Sequence, residues 1–377
     1  MSSKSDLFAR LARYVAVRSV SREEAALADM VADELRAAGL RVERRGNNVW
    51  CTVGDRERPR LLLNSHLDTV PPGGGWAGDP WTPARVADRL AGLGANDAKG
   101  CVCCMIETVL GLHAALRSGQ RLDGTVVLAL TAEEEISGQG LGTILEAIRP
   151  IDAALVGEPT SMTPMIAQRG LLILRGVARG QAGHPANTPP DSGRNAIFTA
   201  AEDLVRLRSF DWGPAHPLLG RCHAHVTRIS GGIANNVVPD ACEFLLDVRT
   251  TPLESHGALV ERLRAALRSE LHVHSERLVP VETDPRELIV RAVLEARPGA
   301  RPAGSPTMSD MLYLQGVPSV KIGPGDSARS HTPNEYVTLP ELEAGAAGYA
   351  AIARAYFRLA ADHPVDGLLV ARPDSGA

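Results

Sequence analysis

The chain has 377 residues, of which 44% are hydrophobic, 22% are charged and only 4% are aromatic. These values are typical of a globular protein with two domains or one large one. Forty basic and forty-four acidic residues leave a net charge of −4, too balanced for a nucleic-acid or membrane surface. We therefore expect neither nucleic acid nor membrane among its partners.

The N-terminus and the cysteines bear on the compartment. Arg10 and Arg13 interrupt the apolar residues of the first twenty positions, a pattern of an amphipathic helix and not of a secretory signal. No window approaches the length of a membrane span. None of the six cysteines forms a C-x-x-C pair facing another, and free thiols suit a reducing compartment. The sequence predicts a cytoplasmic protein.

The first part of the chain alternates helices with short apolar strands. Helices are predicted over 6–17, 22–38 and 99–117, and strands over 41–45, 49–53, 60–64, 125–130 and 153–156. Such alternation indicates an α/β sheet with helices on both faces.

From about residue 170 the pattern changes. Strands with partly alternating apolar and polar residues are predicted over 171–179, 223–229 and 242–249, and helices over 193–208 and 255–269. This predicts a sheet with one wet face and helices on the other. The earlier pattern then returns, with a helix over 285–295, a buried strand over 317–322 and a helix over 340–359. We predict a discontinuous first domain, 1–169 with 278–377, and an inserted α+β domain over 170–277.

Potential metal ligands follow four of the predicted buried strands. His66 follows the strand 60–64, Glu158 follows 153–156, and His331 lies beyond 317–322. Three glutamates, 133–135, follow the strand 125–130, and Asp97 precedes the helix 99–117. In open α/β sheets the active crevice lies outside the carboxyl ends of the strands.

Each of these residues also has a plainer explanation when taken alone. Asp97 is equally explained as the cap of the helix that follows it. Three consecutive glutamates are usually a solvated loop, and one histidine at a strand end is usually a hydrogen-bonded residue. Taken together, imidazoles and carboxylates without a thiolate suit two divalent cations, with Zn²⁺ favoured and Co²⁺ as an alternative.

Several short motifs occur in one order along nearly the whole chain. They are 65–71 (SHLDTVP), 94–100 (GANDAKG), 131–135 (TAEEE), 157–160 (GEPT), 183–184 (GH), 231–240 (GGIANNVVPD), 247–249 (DVR) and 330–335 (SHTPNE). In this order the chain resembles the M20 metallopeptidases, a family of aminoacylases, acetylornithine deacetylases, succinyl-diaminopimelate desuccinylases and carboxypeptidases. The resemblance implies a three-layer α/β metal-dependent hydrolase domain with a mixed sheet, and an inserted lid or dimerisation domain.

The resemblance also implies a set of metal ligands. Asp97 would bridge two cations, with His66 and Glu158 completing one site and Glu135 and His331 the other. Two such cations, about 3.5–4 Å apart, polarise an amide carbonyl.

Further roles follow from the same resemblance. Glu134 would be the general base, and Asp68 would orient the ring of His66. The second property also follows from the residues, because side chains two apart on an extended segment point the same way. The alternative pair within the triple glutamate is Glu133 and Glu134.

Three residues of the inserted domain match motifs of the family. His184 resembles a histidine that reaches from the partner subunit to hold the tetrahedral oxyanion, although a loop histidine beside Pro185 is the plainer explanation. Arg249 resembles an arginine that grips a substrate carboxylate; alternatively it pairs with Asp247 or Asp240. Asn236 stands where the family places a polar substrate contact. A homodimer through the inserted domain is implied in the same way.

The stretches 76–81, 304–310 and 321–327 are most similar to acetylornithine deacetylases. The leading hypothesis is therefore deacylation of N2-acetyl-L-ornithine, a step of arginine biosynthesis, with acylcitrulline and acyl-lysine as near neighbours. The alternatives are a succinyl-diaminopimelate desuccinylase, a dipeptidase or carboxypeptidase of the same family, or a catalytically silent binding protein.

Overall fold

The fold is taken from a computed structural model, which describes residues 4–136, 140–190 and 192–362. The chain divides into two compact units. The first comprises Met1–Ile166, Thr283–Pro302 and Ser309–Ala377, and the second comprises Ala167–Glu282 and Ala303–Met308. The sequence-based division placed 303–308 in the first domain. That segment belongs to the second unit, where its strand pairs with the strand that contains Ala167.

The elements are numbered in chain order. They are α1 (Lys4–Val15), α2 (Ala25–Ala37), β1 (Val42–Arg45), β2 (Asn48–Val53), β3 (Arg60–His66), β4 (Ala84–Val86), β5 (Arg89–Ala91), α3 (Lys99–Arg117), β6 (Thr125–Thr131), α4 (Gly140–Ile148), β7 (Ala153–Val156), β8 (Met165–Gln168), β9 (Gly170–Arg179), α5 (Ala196–Arg208), β10 (His223–Gly231), β11 (Ala241–Thr250), α6 (His256–Ala266), β12 (Glu270–Leu278), β13 (Val281–Glu282), α7 (Leu288–Ala296), β14 (Ala303–Ser305), β15 (Ser319–Lys321), β16 (Tyr336–Thr338) and α8 (Leu339–Asp362).

The first unit is built on a mixed sheet whose strand order is β1-β2-β6-β3-β7-β15-β8. β3 lies between β6 and β7 and is parallel to both, and β15 is parallel to β7. β2 is antiparallel to β6, and β8 to β15. Every residue of β6 and β7 is buried, as expected for central strands covered on both faces. Because four neighbouring strands are parallel, their carboxyl ends meet at one edge of the sheet.

Helix α3 packs against α1, α8 and the strands β3 and β6. By length and composition alone this helix could cross a membrane, so the expectation that no window approaches a membrane span was wrong. Its apolar window is 61% buried within the protein itself. Cys101, Cys103 and Cys104 lie on this helix, and all six cysteines are free and buried.

The second unit contains an antiparallel sheet of order β10-β11-β9-β12. Side chains of β11 alternate between buried and partly exposed, and the buried ones join residues of α5 and α6 in one apolar core. Phe244, Leu246 and Val248 are its centre. The predicted sheet with one covered face is present. Strand β12 was missed because its sequence, ELHVHSERL, is largely polar and exposed.

Candidate metal centre

The predicted ligands follow strands whose carboxyl ends share an edge. His66 is the last residue of β3, Glu158 lies two residues after β7, and Glu135 lies four residues after β6. Asp97 lies just before α3, and His331 comes from the loop between β15 and β16. The sheet therefore brings together ligands that are up to 265 residues apart in sequence, from His66 to His331.

His66, Asp97 and Glu158 form the first group, with one ligand atom from each residue within 4.8 Å of the others. His66 Nε2 lies 3.3 Å from Asp97 Oδ1 and 4.0 Å from Glu158 Oε1. His66 is only 2% exposed, so this group is almost closed to solvent.

Asp97, Glu135 and His331 form the second group on the same distance criterion. His331 Nε2 lies 2.9 Å from Glu135 Oε1 and 3.7 Å from Asp97 Oδ2. The side chain of His331 is 51% exposed, and its backbone is left-handed, with a φ of 59°. The two groups share Asp97, which offers one carboxylate oxygen to each histidine.

The electrostatics of the two groups fit bound cations. Burial raises the pKa of Glu158 to about 8, with Lys321 opposing and Asp97 adding to the rise. The pKa of His331 is raised to about 9, chiefly by its hydrogen bond to Glu135. Crowded carboxylates are costly to bury without compensating positive charge. Two imidazoles and three carboxylates are a donor set that suits zinc or cobalt.

Asp68 forms hydrogen bonds with two parts of the candidate metal centre, the His66 ring and the glutamate turn. Nδ1 of His66 lies 3.0 Å from the Asp68 main-chain oxygen and 3.4 Å from its Oδ1. The carboxylate also accepts bonds from the main-chain amides of Glu134 and Glu135, at 3.1 and 3.0 Å, and from Ser21 Oγ at 2.7 Å. Asp68 thus orients His66 largely through its backbone, while its side chain holds the glutamate turn.

Two of the three consecutive glutamates have different side-chain partners. Glu135 faces His331, whereas the carboxylate of Glu133 lies 3.4 Å from Nε of Arg22. This geometry favours the pair Glu134 and Glu135 over the alternative pair Glu133 and Glu134.

Glu134 lies among other acidic groups. Burial and then the charge of Glu158 raise the pKa of Glu134 well above its ordinary value, and Asp310 and Glu135 add to the rise. A raised pKa brings a carboxyl group towards the neutral range in which proton transfer is most effective.

Asp310 had no role predicted from the sequence. It is 2% exposed and accepts a hydrogen bond from Thr131 Oγ1 at 2.8 Å. Burial raises its pKa to about 6. The stretch that contains it, 304–310, was used only as a mark of substrate type, because its proximity to Glu134 depends on long-range folding.

Two further buried residues support the loop of Asp97 and were also missed. The main-chain amide of Gly94 donates to the carboxylate of Glu335, and Lys99 Nζ donates to the main-chain oxygens of Tyr14 and Val17. Burial lowers the pKa of Lys99 to about 7. Lys99 lies inside the motif 94–100 and Glu335 inside the motif 330–335. Their membership of these motifs was the only sign of their importance in the sequence.

His184 and Asn236 belong to the second unit. His184 is exposed, and its Nδ1 accepts a bond from the amide of Ala186. Asn236 is exposed in a turn. Gly183 and Val238 form an isolated bridge, which places the two segments side by side.

Arg249 is paired within its own strand. Its Nε and Nη2 donate to the two carboxylate oxygens of Asp247, at 2.7 and 3.1 Å. The alternative predicted from the sequence, in which Arg249 pairs with Asp247, is therefore present in the structure.

Comparisons with known proteins agree with these features. Residues 62–355 match the model of peptidase family M20/M25/M40. The chain is 32% identical over 368 residues to an acetylornithine deacetylase from Myxococcus xanthus, covering 89% of this chain and 93% of that protein. It is also 32% identical over 373 residues to a succinyl-diaminopimelate desuccinylase from Xylella fastidiosa, covering 90% and 96%.

A solved structure has a similar fold. It is a dinuclear metal-binding peptidase of the M20 family from Bacillus subtilis, with a TM-score of 0.73 and 18% identity, covering 94% of this chain and 98% of that one. The family match covers well over half of the chain, and the fold and ligand groups agree with it. The chain therefore belongs to peptidase family M20/M25/M40 and is a metallohydrolase that acts on amide bonds.

Proposed function

We propose that this enzyme removes the acyl group of an N-acyl-L-amino acid, with N2-acetyl-L-ornithine as its leading substrate. The observation that carries the proposal is the pair of ligand groups sharing Asp97, with the carboxyl group of Glu134 close enough for the charge of Glu158 to raise its pKa. Similarity to an acetylornithine deacetylase over 89% of the chain supports the choice of substrate. The reaction would serve arginine biosynthesis in the cytoplasm, where six buried free thiols are compatible with reducing conditions.

The two groups would hold two divalent cations, with Zn²⁺ proposed and Co²⁺ as the alternative. His66 and Glu158 would hold one, Glu135 and His331 the other, and Asp97 both. Bound cations of this type supply Lewis acidity, which polarises the scissile carbonyl.

Glu134 would act as the general base. Its carboxylate would take a proton from the attacking water and return it to the amine that leaves. The raised pKa of Glu134 supports both transfers, since it brings the carboxyl group closer to the range in which proton uptake and release are both effective. Asp68 would keep the glutamate turn and the His66 ring in place.

Arg249 and Asn236 would contact the carboxylate and a polar group of the substrate. Arg249 offers a planar pair of donors, which is the geometry that binds carboxylates in a bidentate manner. Because Asp247 already occupies these donors, substrate binding would exchange one carboxylate for another.

The test is steady-state hydrolysis after reconstitution with Zn²⁺ or Co²⁺. The panel is N2-acetyl-L-ornithine, N-acetyl-L-citrulline, N2-acetyl-L-lysine, N-succinyl-diaminopimelate, N-acetyl-L-leucine and a set of dipeptides. We expect the highest kcat/KM for acetylornithine, with Glu134→Gln as the inactive control. A clear preference for the neutral aliphatic substrate would refute the assignment.

Succinyl-diaminopimelate desuccinylase is the second candidate, because that relative is equally similar at 32% identity over 90% of the chain. Preferential hydrolysis of the succinylated substrate would favour it, and cleavage of dipeptides would favour a peptidase. Full metal occupancy without turnover of any member of the panel would instead indicate a binding protein.

We further propose a homodimer formed through the second unit. Phe198 and Val205 on α5 and Ile229 on β10 are between 51% and 65% exposed. β10 is also one of the two edge strands of its sheet, and the edges of two such strands pair readily. Sedimentation should give the mass of two chains, and Val205→Glu should give a monomer. Val86→Glu, which changes a valine of the first unit that is 70% exposed, is the matched control and should remain dimeric.

His184 would act from the partner subunit. Mixing the variants Glu134→Gln and His184→Ala, each nearly inactive alone, should restore activity, because one site of each mixed dimer would combine Glu134 with the partner subunit's His184. Absence of recovery in a demonstrated mixed dimer would contradict action across subunits.

A further inference from the structure

The turn formed by residues 133–135 is held in an unusual way. All three of its main-chain amides donate to buried carboxylates. The amides of Glu134 and Glu135 donate to Asp68, and the amide of Glu133 donates to Oε1 of Glu24 at 3.1 Å. Two carboxylates from distant parts of the sequence thus fix the backbone that carries the proposed base and one ligand.

The backbone of Glu133 requires such support. Its φ is 58°, in the left-handed region that residues other than glycine seldom adopt. Strained positions of this kind persist where neighbouring bonds over-determine them, and they cluster at active sites. If Glu133 relaxed to a negative φ, the side chain of Glu134, the next residue, would leave the backbone in another direction.

Glu24 is fully buried, at 0% exposure. Besides the amide of Glu133, its carboxylate accepts the amide of Arg22 at 2.7 Å and Nδ2 of Asn47 at 2.8 Å. It immediately precedes α2, yet its side chain makes no cap bond to that helix. The ordinary task of an acidic residue at a helix start therefore does not explain it.

We propose that Glu24 is a positioning residue, which holds the turn that aims Glu134 and Glu135. The inference rests on the proposed roles of those two residues. Asp68 holds the last two amides of the turn and Glu24 the first, so loss of Glu24 would free the strained end of the turn without replacing any of the proposed ligand residues.

The first variant is Glu24→Gln, which keeps the shape and one carbonyl oxygen but sets its amide group against the donating amide of Asn47. We expect kcat to fall about 10–100-fold, the usual cost of losing a partner that orients an active-site group, while KM changes much less. The double variant Glu24→Gln/Asn47→Asp exchanges donor and acceptor, and should restore most of the lost kcat.

The matched control is Asp152→Asn. Asp152 is a carboxylate of the same unit, 8% exposed, which accepts the amide of Arg60 at 2.7 Å at the opposite end of β3. This variant should lose thermal stability comparably but keep the parent kcat. The proposal is overturned by a parent-like kcat in Glu24→Gln, by failure of the rescue, or by an equal loss of kcat in Asp152→Asn.

Metal binding gives a readout that is independent of turnover. Calorimetric titration with Zn²⁺ should show weaker binding of one of two ions in Glu24→Gln, since Glu135 is displaced, and unchanged binding in Asp152→Asn. If the parent hydrolyses no substrate, the proposed function fails, and this titration still decides the positioning role. If Glu24→Gln does not fold, Asn47→Ala removes a single donor to Glu24 and should lower kcat and Zn²⁺ affinity in the same direction; parent values would contradict the proposal.

Discussion

Two sets of carboxylates, Glu134, Glu158 and Asp310 in the first unit and Asp203 in the second, have pKa values shifted in opposite directions. In the first unit, Glu134, Glu158 and Asp310 are crowded together, and burial with neighbouring negative charge raises the pKa of each. In the second unit, Asp203 is fully buried, but it accepts hydrogen bonds from the main-chain amides of Arg268 and Ser269, from Ser269 Oγ and from Arg206 Nη1, at 2.7 to 3.1 Å. Although burial opposes it, these bonds lower the pKa of Asp203 below its ordinary value.

The difference lies in the neighbours and not in the residue type or its burial. Asp203 has enough hydrogen-bond donors around it to compensate its charge. Its bonds to Arg268 and Ser269 hold α5 against the segment that precedes β12. Glu134, Glu158 and Asp310 lie close to other negative charges, which is costly unless cations bind or protons are taken up. In this comparison the carboxylates with raised pKa values lie at the candidate metal centre, whereas the fully hydrogen-bonded Asp203 holds two structural segments together.

The largest effect should come from Glu134→Gln. Glutamine preserves the volume of the side chain but cannot carry a proton, so kcat should fall by roughly 10²–10⁴-fold. Elemental analysis should show the metal content of the parent. Asp203→Asn, assayed beside it, should keep the parent kcat. Similar losses of kcat in both variants would contradict the distinction between reactive and structural carboxylates.

We expect the same difference between histidines at the candidate metal centre and a structural histidine of the second unit. His66→Ala and His331→Ala should each lose one bound cation, with affinity at that position at least about 10–100-fold weaker. The control is His256→Ala in the second unit, where Thr250 Oγ1 lies 2.8 Å from Nε2 and the main-chain oxygen of Glu276 lies 2.9 Å from Nδ1. Metal analysis after dialysis should find the parent content in that control. Full content in His331→Ala would exclude it as a ligand.

Cation binding should stabilise the first unit selectively. At a free Zn²⁺ concentration 100 times Kd, binding to the folded state adds about 2.7 kcal/mol to the free energy of unfolding. Hydrogen exchange should show the added protection at the carboxyl ends of β3, β6 and β7 and not in β9 or β11. Asp97→Asn should reduce the gain, because Asp97 belongs to both groups. Equal protection of both units would count against a local site.

Asp203→Asn should produce the smallest effect, a loss of about 1–3 kcal/mol of stability, as buried donors lose their charged acceptor. Because the pKa of Asp203 is lower in the folded than in the unfolded chain, its contribution is present above the unfolded pKa, about 3.9. It is lost as the pH falls through the folded pKa. Urea unfolding from pH 7 to pH 3 should therefore show the stability difference between parent and variant shrinking at low pH. A constant difference would contradict this account.

Local patterns predicted much of this molecule. The apolar runs of β3, β6 and β7 identify buried strands, because side-chain periodicity depends only on near neighbours, and the ligand types follow those strands in sequence. Helix α3 was predicted with its observed bounds, Lys99–Arg117. The motif order was sufficient for the family. The short strands β4, β5 and β16, of three residues each, were missed because so few residues carry no periodicity.

Tertiary structure alone decided which charges meet. The bond from the amide of Glu133 to Glu24 and the position of Asp310 beside Thr131 have no signal in local periodicity. Both join residues more than 100 positions apart. Sequence determines which residues can bind, donate or titrate. The folded chain determines their neighbours, and through burial and charge those neighbours decide which residues become reactive.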